Sequence, residues 1–108
     1  MLMKVLVNTD TNIKGSEELN QHVEAIIRDV LERFIERITR VEVHLTDENS
    51  DNKSGIDDKR CLIEVRLASH QPIISTHEAA TIEQAIDGAA KLMVHRLDST
   101  LGRLEQYD

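Results

Sequence analysis

Aromatic residues are nearly missing: Phe34 and Tyr107 are the whole complement, and tryptophan is absent. Modules that seize single-stranded RNA by stacking bases on exposed rings are therefore not encoded here. A single cysteine, Cys61, excludes an internal disulfide and fits a reducing compartment. No apolar run approaches the ~18 residues of a membrane span. The N-terminal "MLMKVLVNTD" is too short and too polar for a signal peptide. A cytoplasmic protein without a membrane partner is expected. Positive charge is also scarce, with 13 Lys and Arg against 20 Asp and Glu and a net charge of −7. Generic nucleic-acid binding draws its affinity from cations that displace counterions at phosphates, so this balance disfavours it.

What remains is an aliphatic chain of 108 residues, the size of one domain over 1–108. "MKVLVNT" (3–9) is apolar and β-branched and reads as a strand. Ser16 then precedes "EELNQHVEAIIRDVLERFIERI". Its apolar positions Leu19, Val23, Ile26, Ile27, Val30, Leu31, Phe34, Ile35 and Ile38 recur in steps of three and four. They predict one long amphipathic helix capped by Ser16, with Glu17 and Glu18 on the favourable end of its dipole.

"TRVEVHLT" (39–46) changes to a period of two, with Val41, Val43 and Leu45 opposite Arg40, Glu42 and His44. "KRCLIEVRLA" (59–68) repeats the alternation with Cys61, Ile63, Val65 and Leu67. "HQP" marks a turn before "IISTHE", a third antiparallel member whose buried face the pattern leaves open. "TIEQ" from Thr81 is a capping box, and Ile82, Ala85, Ile86, Ala89, Met93, Leu97, Leu101 and Leu104 form the stripe of a last helix, which Gly102 ends or frays. The order β-α-β-β-β-α predicts an α+β two-layer sandwich. Its four-stranded mixed sheet has strands one and two parallel and both helices on one face.

The acidic "TDENSDNKSGIDDKR" (46–60) asks to be read as a calcium loop, because Asp47, Asn49 and Asp51 alternate. The EF-hand template requires glycine at its sixth position and glutamate at its twelfth, where this chain has Asn52 and Asp58. Strands flank it where helices are needed. It reads as a solvated hairpin connection with Asx-type turns. Five acids against one base between Asp47 and Asp58 leave it at −4, and fifteen against twelve leave the rest at −3.

None of the five histidines forms a close metal-ligand pair, and His44 and His77 fall on strands too far apart to share an ion. Cys61 shares the buried face of its strand, where a thiol acts as a small apolar group. No G-x-S-x-G, phosphate-cradling glycine loop or H-E-x-x-H is present. No catalytic residue, cofactor or metal is expected, and the chain does not read as an enzyme. Most charges of the first helix interleave as ion pairs. Arg33, Arg37 and Arg40, with Lys59, Arg60 and Arg66 on the neighbouring strand, are candidates for a basic patch that meets phosphates.

The element order, "ITRVEVHL" and above all "AIDGAAKLMVHRL" resemble the family of ribosome hibernation-promoting factors and ribosome-associated inhibitors, also labelled ribosomal subunit interface or sigma-54 modulation proteins. The resemblance spans nearly the whole chain and is to the short type. It implies a non-enzymatic regulator that binds rRNA of the small ribosomal subunit in stress or stationary phase. It adds Lys91, Arg96 and Arg103 of the last helix to the candidate RNA contacts. Leu92, His95, Ser99 and Leu101 stand at places where the family's last helix carries lysine or arginine facing rRNA. A chain that has lost those contacts would instead meet a protein partner through its acidic loop or open sheet face.

Overall fold

The computed structural model describes residues 3–10, 13, 15–47 and 58–106, the side chains of 103–106 excepted. Strand β1 (Lys4–Thr9) leads to helix α1 (Glu17–Val30), a 3₁₀ turn (Glu32–Phe34), strands β2 (Ile38–Asp47), β3 (Lys59–Leu67) and β4 (Ile73–Ala79), and helix α2 (Ile82–Gln106). The sheet order is β1-β2-β3-β4. β1 runs parallel to β2, and β2, β3 and β4 are antiparallel neighbours. The expected α+β sandwich with a mixed four-stranded sheet is what the chain forms.

Local chemistry sets the boundaries. Ser16 Oγ accepts the Leu19 N–H at 3.0 Å, and Thr81 Oγ1 accepts the Gln84 N–H at 3.1 Å, so each helix starts on a hydroxyl cap. α1 is shorter than its apolar pattern predicts. After Val30 the chain tightens, with Phe34 N–H on Leu31 O at 2.9 Å and Ile35 N–H on Glu32 O at 3.1 Å. The step of three from Leu31 to Phe34 suits a 3₁₀ turn as well as an α-helix, so both stay buried while the chain turns toward β2, where Ile38 is buried in its turn. Gly102 neither ends nor caps α2, which runs on to Gln106 with no glycine at positive φ among the described residues.

One face of the sheet carries Val41, Val43, Leu45, Cys61, Ile63, Val65, Ile73, Ser75 and Ala79, all buried beneath the helices. Val23, Ile27 and Leu31 descend on it from α1 and its end; Ala85, Ile86, Ala89, Met93 and Leu97 do so from α2. Gly88, the glycine of "AIDG", lets α2 approach β4. A Cβ there would stand 2.1 Å from Cδ2 of His77, so that ring would have to move. The face of β4 that the pattern left open is settled by Ser75, whose hydroxyl donates to Ala89 O at 2.8 Å in the core, while Ile74 looks outward, 49% exposed. Replacing Ser75 by alanine is expected to cost about 1 kcal/mol in a urea melt, the usual net worth of one buried neutral hydrogen bond.

Cys61 lies in the same core, and burial pushes its thiol pKa up to about 12. The folded thiol stays protonated while the unfolded one ionises near its ordinary value. Stability is therefore fully present below about pH 9 and is lost as pH rises toward the folded value. Alkaline melts of the wild type should show this loss and those of Cys61→Ala should lack it. Native protein should also resist thiol reagents at pH 8, where unfolded chain reacts.

Candidate nucleic-acid interface

The open face of the sheet is a grid set by strand register. Lys4 pairs with Arg40, and Arg40 with Arg66, giving a row of three cations across β1, β2 and β3. The next row holds Leu6, Glu42, Glu64 and Ile74. Beyond it come Asn8, His44, Leu62 and Thr76, then Thr46, Arg60 and Glu78. Thr39 Oγ1 donates to Arg66 O at 3.1 Å where the β2–β3 register shifts.

The nine candidate cations do not form one patch. Arg66 stands near the end of β3, and Lys59 and Arg60 stand at its beginning, roughly 20 Å away at 3.4 Å per residue. Arg40 begins β2 beside Arg66; Arg33 and Arg37 lie in the turn that feeds β2. These four, together with Lys4, gather at one end of the molecule. The C-terminal half of α2 returns to the same end: Arg33, Phe34, Arg37, Asp98, Leu101 and Gly102 line a pocket of about 350 Å³. Lys91 and Arg96 are exposed along α2, and the side chain of Arg103 lies outside the described residues.

The opposite end of the sheet belongs to the acidic stretch. Residues 48–57 lie outside the described residues, so the hairpin reading of them carries no structural account here. Their anchors are described. Lys59 Nζ reaches Asp58 Oδ1 at 3.2 Å and Asp47 Oδ2 at 3.3 Å, and Asp47 N–H donates to Asp10 Oδ2 at 3.2 Å. The Asp58 carboxylate, more than Asp47, raises the Lys59 pKa above its ordinary value. Lys59 ties the ends of β2 and β3 together. Seven residues of strand separate Arg40 from Asp47 and Arg66 from Lys59, or roughly 24 Å.

Most candidate cations already hold a carboxylate. Arg33 pairs with Asp98, Arg40 with Glu42 at 2.9 Å, Arg66 with Glu64 at 3.4 Å, and Lys91 with Asp87 at 3.0 Å. Among the described residues, Arg37, Arg60 and Arg96 have no ion-pair partner. Arg33 also lies over the Phe34 ring, 4.7 Å from its centre. Any anion that meets these cations competes with their internal carboxylates.

Two features escaped the sequence reading. Lys4 joins the arginine row only because β1 pairs with β2 in this register. Glu42, His44 and Glu64 bring one ligand atom each within 4.8 Å of one another, the sole such trio among the described residues. Alternation on β2 exposes Glu42 and His44 together, but their meeting with Glu64 needs the β2–β3 register. The trio is bound up in an ion-pair ladder. Glu42 gives one oxygen to Arg40 and the other to His44 Nε2, at 3.5 Å, and Glu64 is held by Arg66. Three cations against two carboxylates in these two rows repel a further cation. His77, on the helix-facing side of β4, takes no part.

Among the described residues no helix is long and apolar enough to cross a membrane. A two-layer domain with a polar, uncovered sheet face and cations drawn to one end is the architecture in hand. The sequence profile of the family described as "Sigma 54 modulation protein / S30EA ribosomal protein" matches residues 6–105, and the chain belongs to that family. In fold it is similar to a ribosomal subunit interface protein from Coxiella burnetii, with 16% identity, a TM-score of 0.62, and 96% of this chain and 99% of that one covered. It is likewise similar to the Thermus thermophilus Protein Y N-terminal domain, with 21% identity, a TM-score of 0.63, and the same coverage. No curated protein sequence matches at a significant level.

Proposed function

We propose that this chain is a cytoplasmic, non-enzymatic translation regulator, a single hibernation-factor-like domain that binds rRNA of the small ribosomal subunit under stress or in stationary phase. The observation that carries this reading is the collection of Lys4, Arg33, Arg37, Arg40 and Arg66 at one end of the sheet, with the acidic connection rooted at the other. A protein with a net charge of −7 can then present a cationic end to phosphates while its acidic end points away. Phosphate contacts position such a domain, and shape does the rest, because the described residues present no exposed aromatic platform. Lys59 drops out of the interface, since it stands at the opposite end of β3 from Arg66. Arg60 lies at the wrong end, and Lys91, Arg96 and Arg103 of α2 remain flanking candidates.

Sedimentation of stationary-phase lysate is the test. The protein should travel with small-subunit fractions at low salt and leave them progressively as salt rises. Absence from every ribosomal fraction at both low and moderate salt would sink the reading. The rival reading is a protein-interaction module working through the acidic connection or the open sheet face. It draws on the neutralised Arg40–Glu42 and Arg66–Glu64 ladder and on the outward Ile74. A partner retained after nuclease treatment, with no ribosome attached, would favour it.

A further inference from the structure

The Arg33–Asp98 pair differs from the other ion pairs at the basic end. It joins two elements 65 residues apart in sequence, the 3₁₀ turn and α2, and both residues line the 350 Å³ pocket. Both side chains face solvent, Arg33 60% and Asp98 52% exposed, so water screens the pair and the carboxylate can leave at little cost. The guanidinium has a second support. It lies over the buried Phe34 ring, 4.7 Å from the centre, a contact that does not involve Asp98. Arg37 lines the same pocket with no ion-pair partner among the described residues, and Gly102 leaves open space where a side chain would begin.

We propose that Asp98 is an intramolecular stand-in for phosphate: it occupies the Arg33 guanidinium in the free protein and must be displaced by an RNA backbone phosphate that enters between Arg33 and Arg37. This rests on the reading of the basic end as the RNA-facing site and adds a residue that tunes it. With Asp98 in place the pocket carries two positive charges and one negative. With Asp98 turned out to water, a phosphodiester meets two guanidinium groups, a charge-assisted and geometrically matched contact. The carboxylate thus weakens binding to any stray RNA and leaves appreciable affinity only where several other phosphates are met at once.

Full-length wild type, Asp98→Asn and the double variant Arg33→Gln/Asp98→Asn separate the possibilities. Asparagine keeps the size of the side chain and removes the charge. Inorganic pyrophosphate is titrated while the Arg33 Nε–H resonance is followed by NMR. The midpoint should fall about three- to fivefold in Asp98→Asn, the value of one exposed ion pair. Affinity for purified small subunits should rise by a similar factor, and the double variant should lose that gain. Equal or higher midpoints in Asp98→Asn, or an Arg33 signal indifferent to pyrophosphate in both proteins, would overturn the proposal. If Arg33 responds as expected but no variant binds the subunit, the role of Asp98 stands and the ribosomal reading fails. If all bind the subunit and Asp98→Asn changes neither readout, the reverse holds.

Discussion

Replacing Lys4, Arg33 and Arg37 together with glutamine is expected to weaken binding to the small ribosomal subunit by about a hundredfold near ~0.1 M salt. Each lost phosphate contact removes roughly 0.7 to 0.9 from the slope of log affinity against log salt, which at that salt is five- to eightfold per contact. Three contacts would give two to three powers of ten, and the internal pairing of Arg33 with Asp98 trims the total. The choice of residues protects the fold. None of the three belongs to the Arg40–Glu42 or Arg66–Glu64 pairs, so the two facing glutamates of the sheet keep their counter-ions. Only Asp98 loses a partner, and it is half exposed. Binding isotherms at several salt concentrations check the effect, with circular dichroism to confirm the fold. Arg60→Gln, at the opposite end of the sheet, should change affinity less than about threefold, since it forfeits no phosphate contact in this account. An equal loss from Arg60→Gln would mean that charge acts without regard to place.

The second large effect is on stability. Leu97 is fully buried on α2, within the one core that both helices and the sheet share. Leu97→Ala removes apolar contact and leaves a cavity, a change worth about 2–5 kcal/mol. A domain of this size has about 5–15 kcal/mol in all. At roughly 4–8 °C per kcal/mol, the melting temperature should fall by about 8 °C or more. Ile74→Ala is the matched comparison. Its side chain is on the uncovered sheet face, and an exposed substitution should move stability by no more than about 0.5 kcal/mol. Thermal and urea melts of both variants read the difference. Comparable losses from the two would place an unseen partner or layer over the open face.

Much of this fold was legible because its periods are clean. The alternation at Val41–Val43–Leu45 and at Cys61–Ile63–Val65 gave strands with one buried face, and both faces stand as read. The parallel pairing of β1 with β2 followed from a helix lying between them. The end of α1 did not follow, since the step from Leu31 to Phe34 fits a 3₁₀ turn as well as a helix. The site was harder. Which cations share a patch depends on register and on which end of a strand each occupies, and hydrophobic pattern fixes neither between two strands joined by a long connection. Lys59, Arg60 and Arg66 look like one group on β3 in the sequence and stand at its two ends in space. Lys4 was not among the candidates and is the cross-strand partner of Arg40. The carboxylates that neutralise most of these cations lie two residues away on a strand, four on a helix, or, for Arg33, 65 residues away. Only the last had no trace in the sequence.

The most direct measurement is the affinity of purified chain for purified small subunits across ~50 to 200 mM salt. Phosphate contacts by the basic end predict a straight log–log line with a slope of about −2 to −4, and a slope shallower by about two in the Lys4, Arg33, Arg37 variant. Affinity that ignores salt, or a slope that the variant leaves unchanged, would contradict the assignment of the basic end as the RNA-facing surface.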